Sequence, residues 1–183
     1  MDERERLLEI LRQKSVVRGE FKLSSGKTSN YYIDTRLTKL HPEGVYLVGK
    51  IFLDIIRDDP EILAVGGPAI GADPIVGAIL TLGYESGHPL SGFIVRKEQK
   101  GHGTEKLIEG NLKSGDKVAI VEDVVTTGSS ILKAIDAVKS QGAFVKKVLS
   151  IVDREEGARK KIEDMGYEFF SIFSIRELLL TIP

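Results

Sequence analysis

Cysteine is absent from this chain of 183 residues. The absence excludes disulfides, thiol nucleophiles and thiolate metal sites, and it is compatible with the reducing cytoplasm, where we expect the protein. Neither sign of charge is in excess, because 26 basic and 27 acidic residues leave a net charge of −1. Such a chain has no overall field to attract nucleic acid or an anionic membrane. We therefore expect neither partner, and any anion site must be local.

Long apolar runs are also lacking. The least charged stretch, residues 62–83, contains Pro68, Asp73 and Pro74. A strand, a loop and a buried helix explain it better than a membrane span does. Residues 1–6 mix charges of both signs without an apolar signal core, so we interpret them as mature sequence.

Two familiar nucleotide-binding signatures are missing. No Gly-x-Gly-x-x-Gly follows a predicted strand, which argues against a dinucleotide-binding Rossmann domain. Gly26-Lys27-Thr28 resembles the end of a Walker A motif, but Phe21 stands where that motif requires glycine. Neither signature therefore accounts for a phosphate site in this chain.

Segments with helical apolar spacing alternate with short runs typical of buried strands. Helices are predicted at 2–14, from 42 to about 58, through 75–82, at 129–141 and at 175–180, and strands at 62–65, 92–95, 108–110, 118–121, 145–152 and 168–174. This order predicts one α/β domain over residues 1–183, with a central parallel sheet flanked by helices. Alternation around Phe21 and Leu23, before a Ser-Gly turn, adds a predicted N-terminal hairpin.

One stretch concentrates the polar groups of interest. Val118–Val121 predicts a central strand buried on both faces, and Glu122 and Asp123 come directly after it. The bend Thr126–Ser130 then combines four hydroxyls with Gly128 at a predicted helix N-terminus, where N–H groups and the helix dipole favour an anion. Carboxylates repel phosphate, so the acidic pair is better suited to sugar hydroxyls. The pattern predicts a ribose 5-phosphate site; the alternative is a solvated strand end and an ordinary cap.

This stretch resembles the phosphoribosyl pyrophosphate (PRPP) binding signature of type I phosphoribosyltransferases. The resemblance implies the fold of that family, with a small N-terminal hood beside the central sheet, and it implies a catalytic role for Asp123. The residues implied to bind PRPP here are Glu122, Asp123, Val124, Val125, Thr126, Thr127, Gly128, Ser129 and Ser130.

The predicted hairpin resembles the N-terminal motif of orotate phosphoribosyltransferases, which forms a hood over the base. The matching residues are Phe21, Leu23, Ser25, Gly26, Ser29, Tyr31 and Tyr32, within a hood of about residues 19–36. Some relatives have a ligand-contacting lysine where this chain has Ser24, and whether Lys22 or Lys27 substitutes is open. Without the resemblance, the segment predicts a structural hairpin.

Residues 96–106 hold five cationic or potentially cationic groups, two glycines and no apolar anchor before Leu107, which predicts an exposed, mobile loop. Such runs are usually only solvated. Here the order Arg-Lys-x-x-Lys-x-His-Gly resembles the catalytic loop of orotate phosphoribosyltransferases, which closes over the neighbouring subunit's site. The resemblance implies a homodimer, a loop of about residues 96–107, and PRPP contacts from Arg96, Lys97, Lys100 and His102. Lys100 is the strongest catalytic candidate and His102 the second, while Lys97 serves either its own site or the adjacent one.

Glycines in residues 66–74 permit backbone to approach a ligand closely, which suits a pyrophosphate. The alternative is a plain strand-to-helix turn. In the family this loop often contains a cis peptide, which the resemblance places near Ala69-Ile70. Some relatives have Tyr-Lys where this chain has Ile70-Gly71.

Arg154 follows the strand predicted at 145–152, and its planar fork matches the carboxylate of orotate. The alternative is an ion pair with Glu155 or Glu156. The resemblance implies that Arg154 and Thr126 bind orotate, and that PRPP and orotate give orotidine 5′-monophosphate. It also implies Mg²⁺, held mainly by substrate oxygens, so no protein ligand is assigned. The remaining alternatives are transfer to another base and a PRPP-sensing regulator, which would need a DNA-binding module.

Overall fold

Helices and strands alternate along the chain, as the apolar patterns predict. The computed structural model describes residues 1–22, 28–98 and 107–180. In chain order the elements are α1 (Glu3–Ile10), β1 (Val16–Lys22), β2 (Thr28–Ile33), α2 (Arg36–Lys39), α3 (Pro42–Arg57), β3 (Ile62–Pro68), α4 (Asp73–Glu85), β4 (Ser91–Val95), β5 (Ile108–Gly110), β6 (Lys117–Val125), α5 (Ser129–Ser140), β7 (Phe144–Asp153), α6 (Ala158–Asp164), β8 (Glu168–Ser174) and α7 (Ile175–Leu179), with a π-helical turn at Leu11–Ser15. The helix predicted at 2–14 is therefore α-helical only in its first part, and the short α2 has no counterpart in the prediction.

Six of the described strands form one sheet, in the order β5-β4-β3-β6-β7-β8. Strands β4, β3, β6, β7 and β8 are parallel, and β5 runs antiparallel to β4 at the edge. The predicted central parallel sheet is confirmed, with β6 between β3 and β7. The carboxyl ends of the parallel strands meet along one edge, where open α/β folds bind ligands.

Side chains along β6 alternate between two hydrophobic cores. Ala119 and Val121 face the core built with α1, α3, α4 and α7, whereas Val118 and Ile120 face α5 and α6. All four are fully buried, which is why this strand reads as a continuous apolar run. The strand extends four residues past its predicted end, to Val125. The acidic pair, Glu122 and Asp123, therefore lies within the strand rather than after it.

The N-terminal hairpin forms as predicted, with β1 and β2 antiparallel. Its aromatic face pairs Phe21 with Tyr32, whose ring centres are 5.6 Å apart. At its base, Asp34 N–H donates to Ser15 O at 2.8 Å, and the buried Ser15 and Thr38 hydroxyls are 2.7 Å apart. The hairpin is thus anchored to α2. The motif residues Leu23, Ser24, Ser25, Gly26 and Lys27, and the side chains of Lys22 and Ser29, lie outside the described residues.

The stretch 62–83 forms β3, a loop and most of α4, as predicted, and Ile75 and Ile79 of α4 are buried in the core. Within the described ranges, no helix combines the length and the apolarity needed to cross a bilayer.

Gly66 allows β3 to pack closely against β4. A Cβ at this position would collide with the carbonyl oxygen and the ring of Phe93. We therefore expect Gly66→Ala to lower the free energy of unfolding by about 1–3 kcal/mol, the usual cost of overpacking. Gly77→Ala on α4 is the matched control, because a Cβ at Gly77 would have no neighbouring atom within 4 Å. This control should raise the free energy of unfolding by about 0.5–1 kcal/mol through helix propensity. Urea unfolding measures both, and equal effects would contradict the packing argument.

Candidate functional site

The acidic pair lies at the carboxyl end of β6, largely withdrawn from solvent. Glu122 is 5% exposed, and the side chain of Asp123 is 19% exposed. The alternative of a solvated strand end is therefore wrong. Both residues line a cleft of about 430 Å³. The cleft is bordered by the end of the hairpin, α2, the loop after β3 and the start of α5, and its other lining residues include Tyr32, Asp34, Thr35, Arg36, Lys39, Ala69, Ile70, Gly71, Lys97, Val124 and Ser130.

Asp123 receives hydrogen bonds from both side chains and backbone. Thr35 Oγ1 and Lys39 Nζ donate to its Oδ2 at 2.7 and 2.6 Å, and the Val124 N–H donates to its Oδ1 at 2.8 Å. Lys39 is itself only 2% exposed, and its Nζ also donates to Gly71 O at 2.8 Å. Buried charges persist in proteins when they are paired and hydrogen-bonded in this way.

The two carboxyl groups differ in pKa. Burial raises the pKa of Glu122 to about 8, and the negative charge of Asp123 adds to the rise. Burial also acts to raise the pKa of Asp123, but the hydrogen bond and charge of Lys39, with the hydroxyl of Thr35, outweigh it and lower that pKa. These shifts favour the proton on Glu122 and the negative charge on Asp123.

The loop after β3 presents backbone to the acidic pair. The peptide bond between Ala69 and Ile70 is cis, which confirms the prediction from the resemblance. A Cβ at Gly71 would collide with Glu122 Oε1 and lie 2.9 Å from Asp123 Oδ1. The side chain of Ile70 is 73% exposed. Glycine at position 71 therefore lets the loop backbone pack directly against the acidic pair, where any side chain would collide with it.

The bend after β6 turns the chain into α5. Gly128 is the N-cap and has a φ of +82°, a conformation that glycine adopts readily. Because this cap has no side chain, it cannot satisfy the first N–H groups of α5, as a serine or threonine cap would. The predicted phosphate-binding hydroxyls surround this cap and are exposed or half-buried: Thr126, Thr127, Ser129 and Ser130. The bend is therefore suited to an anion.

Two valines join the acidic pair to the bend. Val125 is buried in the core beside α5, and its carbonyl accepts from the Arg154 N–H at 2.9 Å. Val124 is half-buried and lines the cleft. Of the two side chains, only that of Val124 is available to a ligand, so a contact from Val125 would have to come from its backbone.

Arg154 lies between the hairpin and the ligand-binding edge of the sheet. Its Nε is 3.0 Å from Glu156 Oε1, and its guanidinium is 5.7 Å from the ring centre of Tyr31. The ion pair considered as the alternative role therefore forms. It is not aligned as a hydrogen bond, because Nε has no hydrogen-bond partner among the described residues. The Arg154 side chain is 15% exposed, and its guanidinium is held between a ring and a carboxylate.

The cationic segment begins directly after β4. Arg96 NH1 is 3.5 Å from Glu109 Oε1 on β5. Lys97 lines the same cleft as the acidic pair. The two predicted catalytic residues of the loop, Lys100 and His102, lie outside the described residues.

The acidic pair is a poor metal cage on its own. The Asp123 carboxylate already accepts from three donors, and the raised pKa of Glu122 favours its protonated form. In the part of the chain that the structure describes, no group of three or more His, Asp or Glu could hold a metal ion. Any Mg²⁺ at this cleft would take most of its oxygen ligands from a substrate and water.

Thr35 and Lys39 are site residues without an assigned role in the sequence prediction, whereas Gly71 lies in the loop 66–74 that was predicted to approach a ligand. Lys39 binds Asp123, which lies 84 residues further along the chain. Lys39 is part of α2, which spans only four residues. Apolar periodicity cannot identify a helix of that length. The one local signal was at Gly71, since glycine after a strand permits close approach.

The raised pKa of Glu122 makes stability depend on pH. The reference pKa is 4.5 and the folded pKa is about 8, so the folded state binds more protons between these values. The free energy of unfolding therefore falls as pH rises through that window. We expect Glu122→Gln to lose this decline and to gain a few kcal/mol relative to wild type between about pH 5 and pH 8.

Chemical denaturation at a series of pH values measures the difference. Glu20→Gln, on the exposed surface of β1, is the control for removing a carboxylate without the buried environment. If the free energies of unfolding of Glu122→Gln and wild type change in parallel with pH, Glu122 is not protonated as inferred.

Comparison with known proteins identifies the family. Residues 38–173 match the family model described as phosphoribosyl transferase domain. The chain is 45% identical to the orotate phosphoribosyltransferase of Aquifex aeolicus, covering 98% of this chain and 99% of that protein, and 43% identical to that of Nostoc sp., covering 96% and 84%. The Mycobacterium tuberculosis orotate phosphoribosyltransferase in complex with PRPP has a TM-score of 0.82 at 37% identity, covering 97% of this chain and 99% of that one. The corresponding enzyme of Aeropyrum pernix has a TM-score of 0.80 at 35% identity, covering 95% and 96%. These relatives confirm the predicted type I phosphoribosyltransferase fold, and the chain belongs to the orotate phosphoribosyltransferase family.

Proposed function

We propose that this chain transfers the ribose 5-phosphate of PRPP to orotate, giving orotidine 5′-monophosphate and pyrophosphate for pyrimidine biosynthesis. The observation that carries the proposal is the buried acidic pair, with one proton and one charge, set between the cis-peptide loop and the glycine-capped bend. The solved relative from M. tuberculosis was crystallised with PRPP. Residues of this cleft and of the bend beside it are suited to a sugar phosphate of that kind.

The sugar phosphate is expected to span the acidic pair and the bend. Ribose hydroxyls would pair with Glu122 and Asp123, and the 5-phosphate would accept from N–H groups and hydroxyls of Thr126–Ser130. Because the pair carries only one negative charge, its repulsion of the phosphates is limited. That charge, on Asp123, is fixed by Thr35 and Lys39.

During transfer, a ring nitrogen of orotate that has lost its proton to solvent forms a bond to the anomeric carbon as the bond to pyrophosphate breaks. Positive charge develops on the ribose, and a carboxylate fixed beside it stabilises that charge. Asp123 is the group in this cleft that carries such a charge at neutral pH. Orotate's ring is acidic enough that we assign no general base.

Pyrophosphate would lie against the loop at Ala69–Gly71, which lines the cleft and has no side chain at Gly71. Mg²⁺, when bound with PRPP, would neutralise part of the diphosphate charge, and the small protein donor set is consistent with a metal held mostly by substrate oxygens.

Lys97 lines the cleft, and Lys100, with His102 and Arg96, would add cations as the leaving group gains charge. We propose that this loop acts across a homodimer, as the resemblance implies. A cytoplasmic location stays a prediction.

Orotate is expected to meet Arg154. Its guanidinium is held by Tyr31 and Glu156, so a planar fork is preorganised near the hairpin that would cover the base. Thr126, at the end of the neighbouring strand, is the second proposed contact. A carboxylate on the base is what distinguishes orotate from uracil, and a fork recognises it with two parallel hydrogen bonds.

The loop proposal is tested by Lys100→Ala. We expect turnover of orotate with PRPP and Mg²⁺ to fall by about 10²-fold or more, the usual loss when a group that stabilises developing charge is removed. Orotate consumption followed by its ultraviolet absorbance measures the rate. Lys113→Ala is the control, since it removes an exposed lysine in a turn before β6. Unchanged turnover in Lys100→Ala would dismiss the catalytic loop.

Base recognition is tested by Arg154→Lys. This change keeps a positive charge but loses the fork, so kcat/KM for orotate should fall by about 10- to 100-fold while the KM for PRPP changes little. Glu156→Gln tests the structural role of Arg154 separately, because it breaks the Arg154–Glu156 ion pair without changing the guanidinium. If both variants behave alike, Arg154 serves only the ion pair. Uracil assayed at fixed PRPP and Mg²⁺ shows whether another base is preferred.

A further inference from the structure

We propose that Lys39 is a positioning residue, which holds Asp123 in one orientation and ties it to the loop that faces pyrophosphate. The inference rests on the proposed function and adds to it a residue outside the signature stretch. Three segments converge on its ammonium, namely α2, the loop after β3 and the end of β6.

The burial of Lys39 points to a specific task. Lysine is almost never fully buried unless it is paired, and this one is 2% exposed. Two acceptors meet its ammonium, Asp123 Oδ2 at 2.6 Å and Gly71 O at 2.8 Å. Burying an ammonium costs free energy that a solvent-exposed lysine would not incur. The burial of Lys39 is therefore better explained by the two acceptors that it binds.

Lys39 and Thr35 act on the same atom. Both donate to Asp123 Oδ2, while the Val124 N–H donates to Oδ1. With both oxygens accepting hydrogen bonds, the carboxylate plane cannot rotate freely. A fixed carboxylate needs no reorganisation when charge develops on the sugar, which is the property expected of a preorganised site.

Lys39 also decides which member of the acidic pair is charged. In the part of the chain that the structure describes, the titratable and charged groups around Asp123 are Glu122 on the same strand, Lys39 and Arg36 on α2, Tyr32 and Asp34 before α2, and Lys97 after β4. Of these, Lys39 is the cation in direct contact. Without it, Asp123 and Glu122 would face each other as two buried acids competing for one charge.

The test is the pH profile of kcat/KM for PRPP in Lys39→Met, which keeps the length and removes the charge. Loss of a cation in contact with a carboxylate raises its pKa by about 1–3 units. We therefore expect the acid limb to move up by about 1–3 pH units, with a raised KM for PRPP and little change in the KM for orotate. A purely structural role would lower activity evenly and leave the acid limb in place.

Two further variants keep the result interpretable. Thr35→Val removes a neutral donor to the same oxygen, so it should move the acid limb in the same direction by less, and it remains available if Lys39→Met fails to fold. Lys113→Met is the control for losing a lysine on the surface and should keep the wild-type profile. An acid limb unchanged in every Lys39 and Thr35 variant that folds overturns the inference. If the wild-type protein does not turn over orotate and PRPP, the proposed function itself is wrong. The two failures are therefore distinguishable.

Discussion

Two adjacent carboxyl groups buried at one strand end cannot both remain charged at low cost. The described part of this chain resolves the conflict with one buried ammonium, which favours the charge on Asp123 and leaves the proton on Glu122. The neighbouring backbone follows from this arrangement. The loop after β3 approaches closely because Gly71 has no side chain, and its carbonyl provides the second acceptor for Lys39.

The sheet supplies the rigidity that such an arrangement requires. β6 is covered on both faces by hydrophobic cores, and β3 and β7 flank it on both sides. A strand held from four directions cannot shift its register without exposing apolar side chains to water. Groups at its carboxyl end are therefore positioned more accurately than groups on a loop would be. The bend at Gly128 then brings the start of α5 to the same edge.

Local signals in the sequence were sufficient for much of this arrangement. The apolar run Val118–Val121 identified the central strand, and the glycine and hydroxyls after it identified the bend, because both depend on short-range chemistry. The family resemblance placed the cis peptide at Ala69-Ile70. The continuation of β6 to Val125 was not predicted, since charged residues usually mark the end of a buried strand.

The remaining features depend on contacts distant in sequence. Lys39 lies on α2, whose four residues are too few for apolar periodicity to indicate which side chains are buried. Only the folded chain brings it to Asp123, 84 residues later. The protonated state of Glu122 is equally hidden, because its main cause is burial. The antiparallel direction of β5 likewise depends on a partner strand rather than on its own three residues.

The position of α2 has a consequence for how the two substrates affect each other. The hairpin ends at Ile33, and Thr35 already donates to Asp123, so only Asp34 lies between the proposed hood over the base and a residue that binds the proposed sugar-binding carboxylate. A displacement of the hairpin when it closes over a base would change the hydrogen bond that Thr35 donates to the Asp123 carboxylate. Any such coupling is thermodynamically reciprocal, so whichever substrate enters first would alter the affinity for the second by the same factor as in the reverse order.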